Sequence, residues 1–147
     1  MPQRVQTWRD YLESSILLQT ALDDQLRADS QMSLLEYHLL LLLSEATDRR
    51  LRMGDLAREM VFSSSRLTYQ VGVLEKRGWV RRDKDTTDAR STWACLTDDG
   101  VDVLRQASRG HLQAVRSLFL DALDDDEVAV LGRVFARQRQ RLRELGV

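Results

Sequence analysis

The residues best equipped for chemistry lie between Arg49 and Ser91. That window holds eleven basic and six acidic side chains, a charge of +5, while the rest of the 147-residue chain carries −6 and the whole chain −1. Positive charge segregated in this way attracts phosphate while the remaining surface stays acidic. Its most informative stretch is Trp79-Val-Arg-Arg-Asp-Lys-Asp-Thr-Thr-Asp-Ala-Arg-Ser-Thr-Trp-Ala-Cys-Leu-Thr97. Two short alternating runs, 80–84 and 91–96, flank a charged polar turn, which predicts a two-stranded β-ribbon with a basic tip. Arg90, with Arg81, Arg82 and Lys84 beside it, suits the negative potential of a narrow minor groove. Upstream, Ser63, Ser64 and Ser65 open a helix that runs to about Arg77 and buries Leu67, Val71 and Leu74. Ser65, Arg66, Thr68, Tyr69, Gln70 and Val73 fall outside that stripe. Arg66 or Gln70 can read base edges in a major groove, whereas Thr68 or Tyr69 can equally hold phosphates. Ser64 and Ser65 can donate to phosphate at the helix start, although at least one of the three serines is expected to act as the cap.

Other chemistries find less support. Asp98-Asp99 and Asp124-Asp-Asp-Glu127 resemble paired catalytic carboxylates, but each opens a helix, where acids are favoured by the dipole. His38 and His111 are the only histidines, too few with scattered carboxylates for a metal set. There is no phosphate loop and no nucleophile with a nearby base, so no enzyme, metal or cofactor is expected. His38, in an apolar helix, reads first as a core histidine and second as a hydrogen-bonding group in a ligand pocket. Trp8, Tyr11, Tyr37 and His38 are the polar-tipped aromatic residues to place near such a pocket, between the first two helices and the ribbon module; core packing explains most of them equally well. Cys95 lies in the second ribbon strand with no second cysteine to resolve a sulfenic acid, so a structural or tolerated role is expected.

The elements that must position these groups are mostly helical. Trp8, Tyr11, Leu12, Leu18, Leu22 and Leu26 predict a first helix over about 7–28, with Ile16 and Leu17 widening its apolar band. Ser33-Leu-Leu-Glu36 is a capping box ahead of a second, nearly all-apolar helix ending near Ala46. A turn at Asp48-Arg-Arg50 leads to a short helix, about 53–60, and then to the serine turn. Gly78 is placed to end the fourth helix, and Thr97 to cap a fifth with Val101, Leu104, Leu112, Val115, Leu118 and Phe119 as its stripe. A sixth helix carries Val128, Leu131, Val134, Phe135, Leu142 and Leu145 and is basic at its end. The fold expected is mainly α with a small β-wing: a winged helix-turn-helix over 33–98, flanked by helices at 1–32 and 99–147 that together make one compact unit per protomer. Apolar helical surface of that extent implies a partner, most simply a second copy in a two-fold dimer. No apolar run approaches the roughly 18 residues of a membrane span, and no secretion signal opens the chain, so a cytoplasmic location with no membrane partner is the default expectation.

This order, with Met53-Gly-Asp-Leu-Ala57, Leu74-Glu-Lys-Arg-Gly-Trp-Val-Arg-Arg82, Asp85-Thr-Thr-Asp-Ala-Arg90 and Leu96-Thr-Asp-Asp-Gly100, resembles the MarR family of bacterial transcription regulators over essentially the whole chain. The resemblance implies a homodimer that binds pseudo-palindromic double-stranded DNA, usually represses, and often releases DNA when a small, frequently phenolic or aromatic, ligand binds. It further implies that Arg90 is the wing-tip arginine entering the minor groove and that Asp88 holds it in place. Tyr69 stands where many members carry arginine, and Gly72 and Val73 where polar residues are common. Those departures keep open an alternative, a winged-helix protein-interaction module without operator binding.

Overall fold

A computed structural model describes residues 2–147. The elements are α1 Pro2–Ser30, α2 Leu34–Glu45, β1 Arg50–Arg52, α3 Met53–Met60, α4 Ser64–Lys76, β2 Val80–Lys84, β3 Thr92–Leu96, α5 Asp98–Leu118 and α6 Asp125–Glu144. The expected class, mainly α with a small β-wing, is the class observed. The chain divides into two compact units, one ending at His111 and the other Leu112–Val147.

The core of the first unit is built around α2. Ser33 Oγ accepts from the Glu36 N–H at 3.0 Å and the Glu36 carboxylate accepts from the Ser33 N–H at 3.1 Å, so the predicted capping box forms. It launches a helix whose Tyr37, Leu39, Leu40 and Leu43 are all buried. Leu26 of α1, Leu56 and Met60 of α3, Leu67, Val71 and Leu74 of α4, and Ala94 and Leu96 of β3 close around them. Each large side chain removed from water here contributes about 1.5–3 kcal/mol. The first helix starts earlier than the stripe predicts and buries only Leu22 and Leu26; Trp8, Tyr11, Leu12, Ile16 and Leu17 remain exposed.

The joints between the helices are hydrogen-bonded rather than loose. Phe62 N–H donates to the Ala57 carbonyl at 2.9 Å, closing α3 through Val61 in the left-handed conformation, φ 56°. That position favours glycine, and a β-branched residue there is strained by roughly 1–2 kcal/mol. Val61 is 67% exposed and has little packing to lose. Val61→Gly is therefore expected to raise stability by about 1 kcal/mol, the relief being partly offset by the freer unfolded chain. A urea midpoint that falls instead would show that the valine side chain is held by contacts worth more than the strain. At the far end of α4 the predicted glycine stop forms: Gly78 has φ 79°, its N–H donates to Glu75 O at 3.0 Å, and Trp79 N–H donates to Leu74 O at 3.1 Å.

The sheet differs from the sequence-based expectation. The ribbon is not two-stranded: β1, which starts at the last residue of the expected turn 48–50 and runs on through Arg52, pairs antiparallel with β3, giving the order β1-β3-β2. Three residues are too few to display alternation, and β1 gains its conformation from a partner far downstream, so no local signal marks it. The β2–β3 pairing follows the expected ribbon, with Val80 opposite Leu96 and Lys84 opposite Thr92. Thr97 then joins wing to helix, donating through Oγ1 to Gly78 O at 2.6 Å and accepting from Gly100 N–H at 3.0 Å.

The second unit is of another kind. Asp124 and Glu127 form a reciprocal capping box at 2.8 and 2.9 Å that starts α6, yet α6 has no buried residue. Val128, Val130, Phe135, Leu142 and Leu145 are all exposed. In α5 the buried positions are Gly100, Leu104, Ala107 and His111, so Leu112 and Leu118 of its expected stripe are exposed instead. Among the described residues, no helix is long and apolar enough to cross a membrane.

Candidate nucleic-acid interface

The fourth helix presents its outer face as the stripe predicts. Ser63 is the cap, its Oγ accepting from the Arg66 N–H at 3.2 Å. Ser64 and Ser65 are thereby left exposed in the first turn, where free N–H groups and the dipole favour an anion. Arg66 lies with its guanidinium 4.1 Å over the Phe62 ring, which holds it at the start of the helix. Thr68 returns its hydroxyl to Ser64 O at 2.8 Å. Tyr69 is 69% exposed and Gln70 half-buried.

The wing loop is a chain of small turns. Asp85 N–H donates to Ser91 O and Ser91 N–H to Asp88 O, both at 3.0 Å. The Asp88 carboxylate, which the resemblance implied holds Arg90 in place, accepts from the Arg90 backbone N–H at 3.0 Å. The acid fixes the backbone from which the arginine projects, and the Arg90 side chain stays exposed. Arg82 also differs from a freely projecting cation. Its guanidinium donates to Glu75 at 3.1 Å and its backbone N–H reaches the same carboxylate at 3.1 Å, so it ties β2 to α4. That contact lowers the Glu75 carboxyl below its ordinary range, first through the Arg82 side chain. Lys84, at the end of β2, is exposed. Thr68, Arg82, Asp88 and Arg90 border one open cleft with Met53 and Thr92. Thr68 of the helix face and the wing residues thus share one hollow.

A second cleft, about 650 Å³, lies among α1, α2 and α5, with Gln19, Asp23, Leu34, Tyr37, His38 and His111 in its walls. Of the four residues expected at a pocket, Tyr37 and His38 reach it. Trp8 and Tyr11 do not: they sit two turns and more away on α1, with rings 6.0 Å apart. His38 is exposed rather than a core histidine. The buried one is His111, 8% exposed, tilted against the Tyr37 ring at 4.3 Å. Its Nδ1 has no hydrogen-bond partner among the described residues, and burial pushes its pKa down. Among the described residues, no three His, Cys, Asp or Glu side chains gather as a metal set. Cys95 is buried in β3 with Sγ 3.6 Å from Asp83; burial and that carboxylate raise the thiol, as suits an inert cysteine.

Residues 30–91 match the family model described as MarR family. YetL, an HTH-type transcriptional repressor of Bacillus subtilis (strain 168), is 29% identical over 69% of this chain, a match spanning 63% of its own length. Sco3205 of Streptomyces coelicolor, a MarR family transcriptional regulator solved in complex with DNA, is 39% identical, with 97% of this chain and 89% of that one covered and a TM-score of 0.93. The chain belongs to the MarR family of transcriptional regulators. AbsC, another MarR family regulator of Streptomyces coelicolor, aligns at 30% identity and TM-score 0.93 over 98% of this chain and 97% of its own.

Several residues of this MarR-family site carry no sequence signal. Glu75 reads as an ordinary helix-surface acid until Arg82 is seen beside it, and Arg52 gives no hint of its reach to Asp85, 3.0 Å away. His111 was legible only as a histidine on a long helix. Its burial makes a pH prediction. The folded value lies below the ordinary value of about 6.5, so its contribution to stability is full above 6.5, declines as pH falls between the two values and levels off below the folded one. Urea midpoints of wild type and His111→Phe between pH 7.5 and 5.5 should therefore diverge, the wild type losing more on acidification. Parallel curves would mean that water or a hydrogen-bond acceptor stabilises the imidazolium in the folded protein.

Proposed function

We propose that this protein is a homodimeric DNA-binding repressor that reads a pseudo-palindromic operator and is released by a small aromatic or phenolic ligand. One observation carries the DNA reading: Thr68, on the exposed face of α4, and the wing arginine Arg90 border the same cleft. A helix for a major groove and an arginine for the adjacent minor groove are the two tools of winged readers. Ser64, Ser65, Arg66, Thr68, Tyr69 and Gln70 are assigned to the first task and Lys84 and Arg90 to the second, with Asp88 and Arg82 fixing the wing. Dimerisation is assigned to the terminal segments 1–32 and 99–147, because α1 and α6 expose apolar residues over many turns. A two-fold dimer then fits two half-sites about one helical turn apart, near 10 base pairs. Repression is the activity named for YetL. The cleft beside Tyr37 and His111, apolar with a few polar tips, supports a small aromatic ligand.

Fluorescence anisotropy against duplex DNA from upstream of its own gene, at two salt concentrations, tests the reading. Tight binding that weakens steeply with salt is expected, since each phosphate contact releases counterions. Association that is flat in salt would favour the protein-interaction alternative, to which the exposed Tyr69 would lend an anchor. Absence of binding at low salt, to this duplex and to fragments selected from the genome, would overturn the proposal.

A further inference from the structure

Asp85 is the one buried carboxylate among the described residues, 7% exposed, and it belongs to the wing loop, where charge is cheapest in water. Two things hold it. Its Oδ1 accepts from the Thr87 N–H at 2.9 Å and from the Thr87 hydroxyl at 2.8 Å, forming an Asx-type turn that starts the loop. Its Oδ2 lies 3.0 Å from the Arg52 guanidinium, an ionic contact without hydrogen-bond alignment.

Arg52 comes from the opposite edge of the sheet. It belongs to β1 and faces Trp93 of the central strand, which in turn faces Asp83 of β2. The guanidinium lies 5.1 Å over the Trp93 ring, with Arg50 at 4.1 Å over the same ring. One side chain therefore crosses the width of the three-stranded sheet, rests on an indole and meets the buried acid at the root of the wing. Arg52 is also the residue from which α3 begins.

We infer that Arg52 and Asp85 are positioning residues for DNA reading: a strap across the sheet that sets the wing, and with it Arg90, at a fixed distance from the helix-turn-helix. The inference rests on the DNA-binding function proposed above. An isolated two-stranded ribbon is marginally stable and free to twist, and every degree of freedom lost on binding weakens the complex. A wing held in place before contact avoids that loss. The strap and the Glu75–Arg82 pair act on different partners, one anchoring the wing to β1 and the other anchoring β2 to the recognition helix.

Asp85→Asn is the informative variant, because an amide can keep the turn to Thr87 while losing the charge that Arg52 needs. Arg52→Gln removes the other partner. Amide hydrogen exchange on the free protein is expected to speed up at least tenfold over residues 86–91 in both variants, with the amides of α2 unchanged. Anisotropy with the upstream duplex is expected to show about tenfold weaker binding for each single variant and no further loss in the double, with the salt slope of the wild type retained. A slope reduced by about 0.9 in Arg52→Gln, with Asp85→Asn silent, would make Arg52 a phosphate contact and overturn the strap. Unchanged exchange in the loop, or additive losses in the double variant, would also overturn it. If the wild type binds no duplex, the DNA reading fails and the inference with it; the exchange data would show separately whether the strap orders the loop.

Discussion

Replacing Arg90 by alanine is expected to weaken binding to duplex DNA by about tenfold, a loss of about 1.4 kcal/mol, with little change in sequence preference. The loss should be uniform because the minor groove offers a degenerate pattern of acceptors, so an arginine there responds to potential and width more than to base identity. The slope of log affinity against log salt should become shallower by up to about 0.9, as one cation is withdrawn from the phosphate surroundings. The fold should not register the change. The Arg90 side chain is exposed, and the contact that shapes the loop runs through its backbone N–H to Asp88, which alanine retains. Asp88→Ala makes the contrast: it leaves the arginine in place and removes the acceptor that orients its backbone. Unchanged affinity in Arg90→Ala, with the operator in hand, would remove the wing from the interface.

Gly100→Ala is expected to destabilise the protein by about 3 kcal/mol. An added Cβ would stand 2.2 Å from the Trp79 carbonyl oxygen and 2.6 Å from Leu96 Cδ1. The first of these is backbone and cannot rotate away. It is also the acceptor for the Thr97 N–H at 3.1 Å, so moving it disturbs the bond that joins wing to α5. Alanine at an ordinary helical position gains about 1 kcal/mol over glycine, so the sign of the measured change decides whether the close approach is rigid. For a chain of this size a loss of 3 kcal/mol lowers Tm by roughly 6–12 °C. A melting temperature that holds or rises would show that α5 slides away from β2 without cost.

The same glycine shows how far the sequence can be read. Leu96-Thr-Asp-Asp-Gly100 is a recognisable pattern, and Thr97 was legible as a cap from its type and place. That Gly100 is required by the Trp79 carbonyl, in the turn just before β2, is a tertiary fact with no local trace. The helices were legible wherever periodicity or caps were local: Ser33 with Glu36, Met53 to Met60, Gly78. The helix α4 and the β2–β3 ribbon were legible for the same reason. What escaped were contacts made between distant segments: β1 against β3, Arg52 against Asp85, Glu75 against Arg82. For His38 the pocket reading, not the core one, matches its place, because its helix turns that position to the cleft; the burial of His111 was not legible. Trp8 and Tyr11 have pocket-like chemistry but lie on a part of α1 that this chain alone leaves exposed.

Residues 63–70 carry a last consequence. The anchoring of α4 rests on Leu67, Val71, Leu74, the Ser63 cap and the Gly78 stop, while positions 64, 65, 66, 68 and 69 face outward. Exposed helical positions tolerate replacement within about 0.5 kcal/mol. On the function proposed above, recognition and folding are thus written in different letters of one helix. A duplicated gene could acquire a new target site through a few outward changes without first acquiring stabilising ones, which is how one scaffold can diversify into many regulators within a single genome.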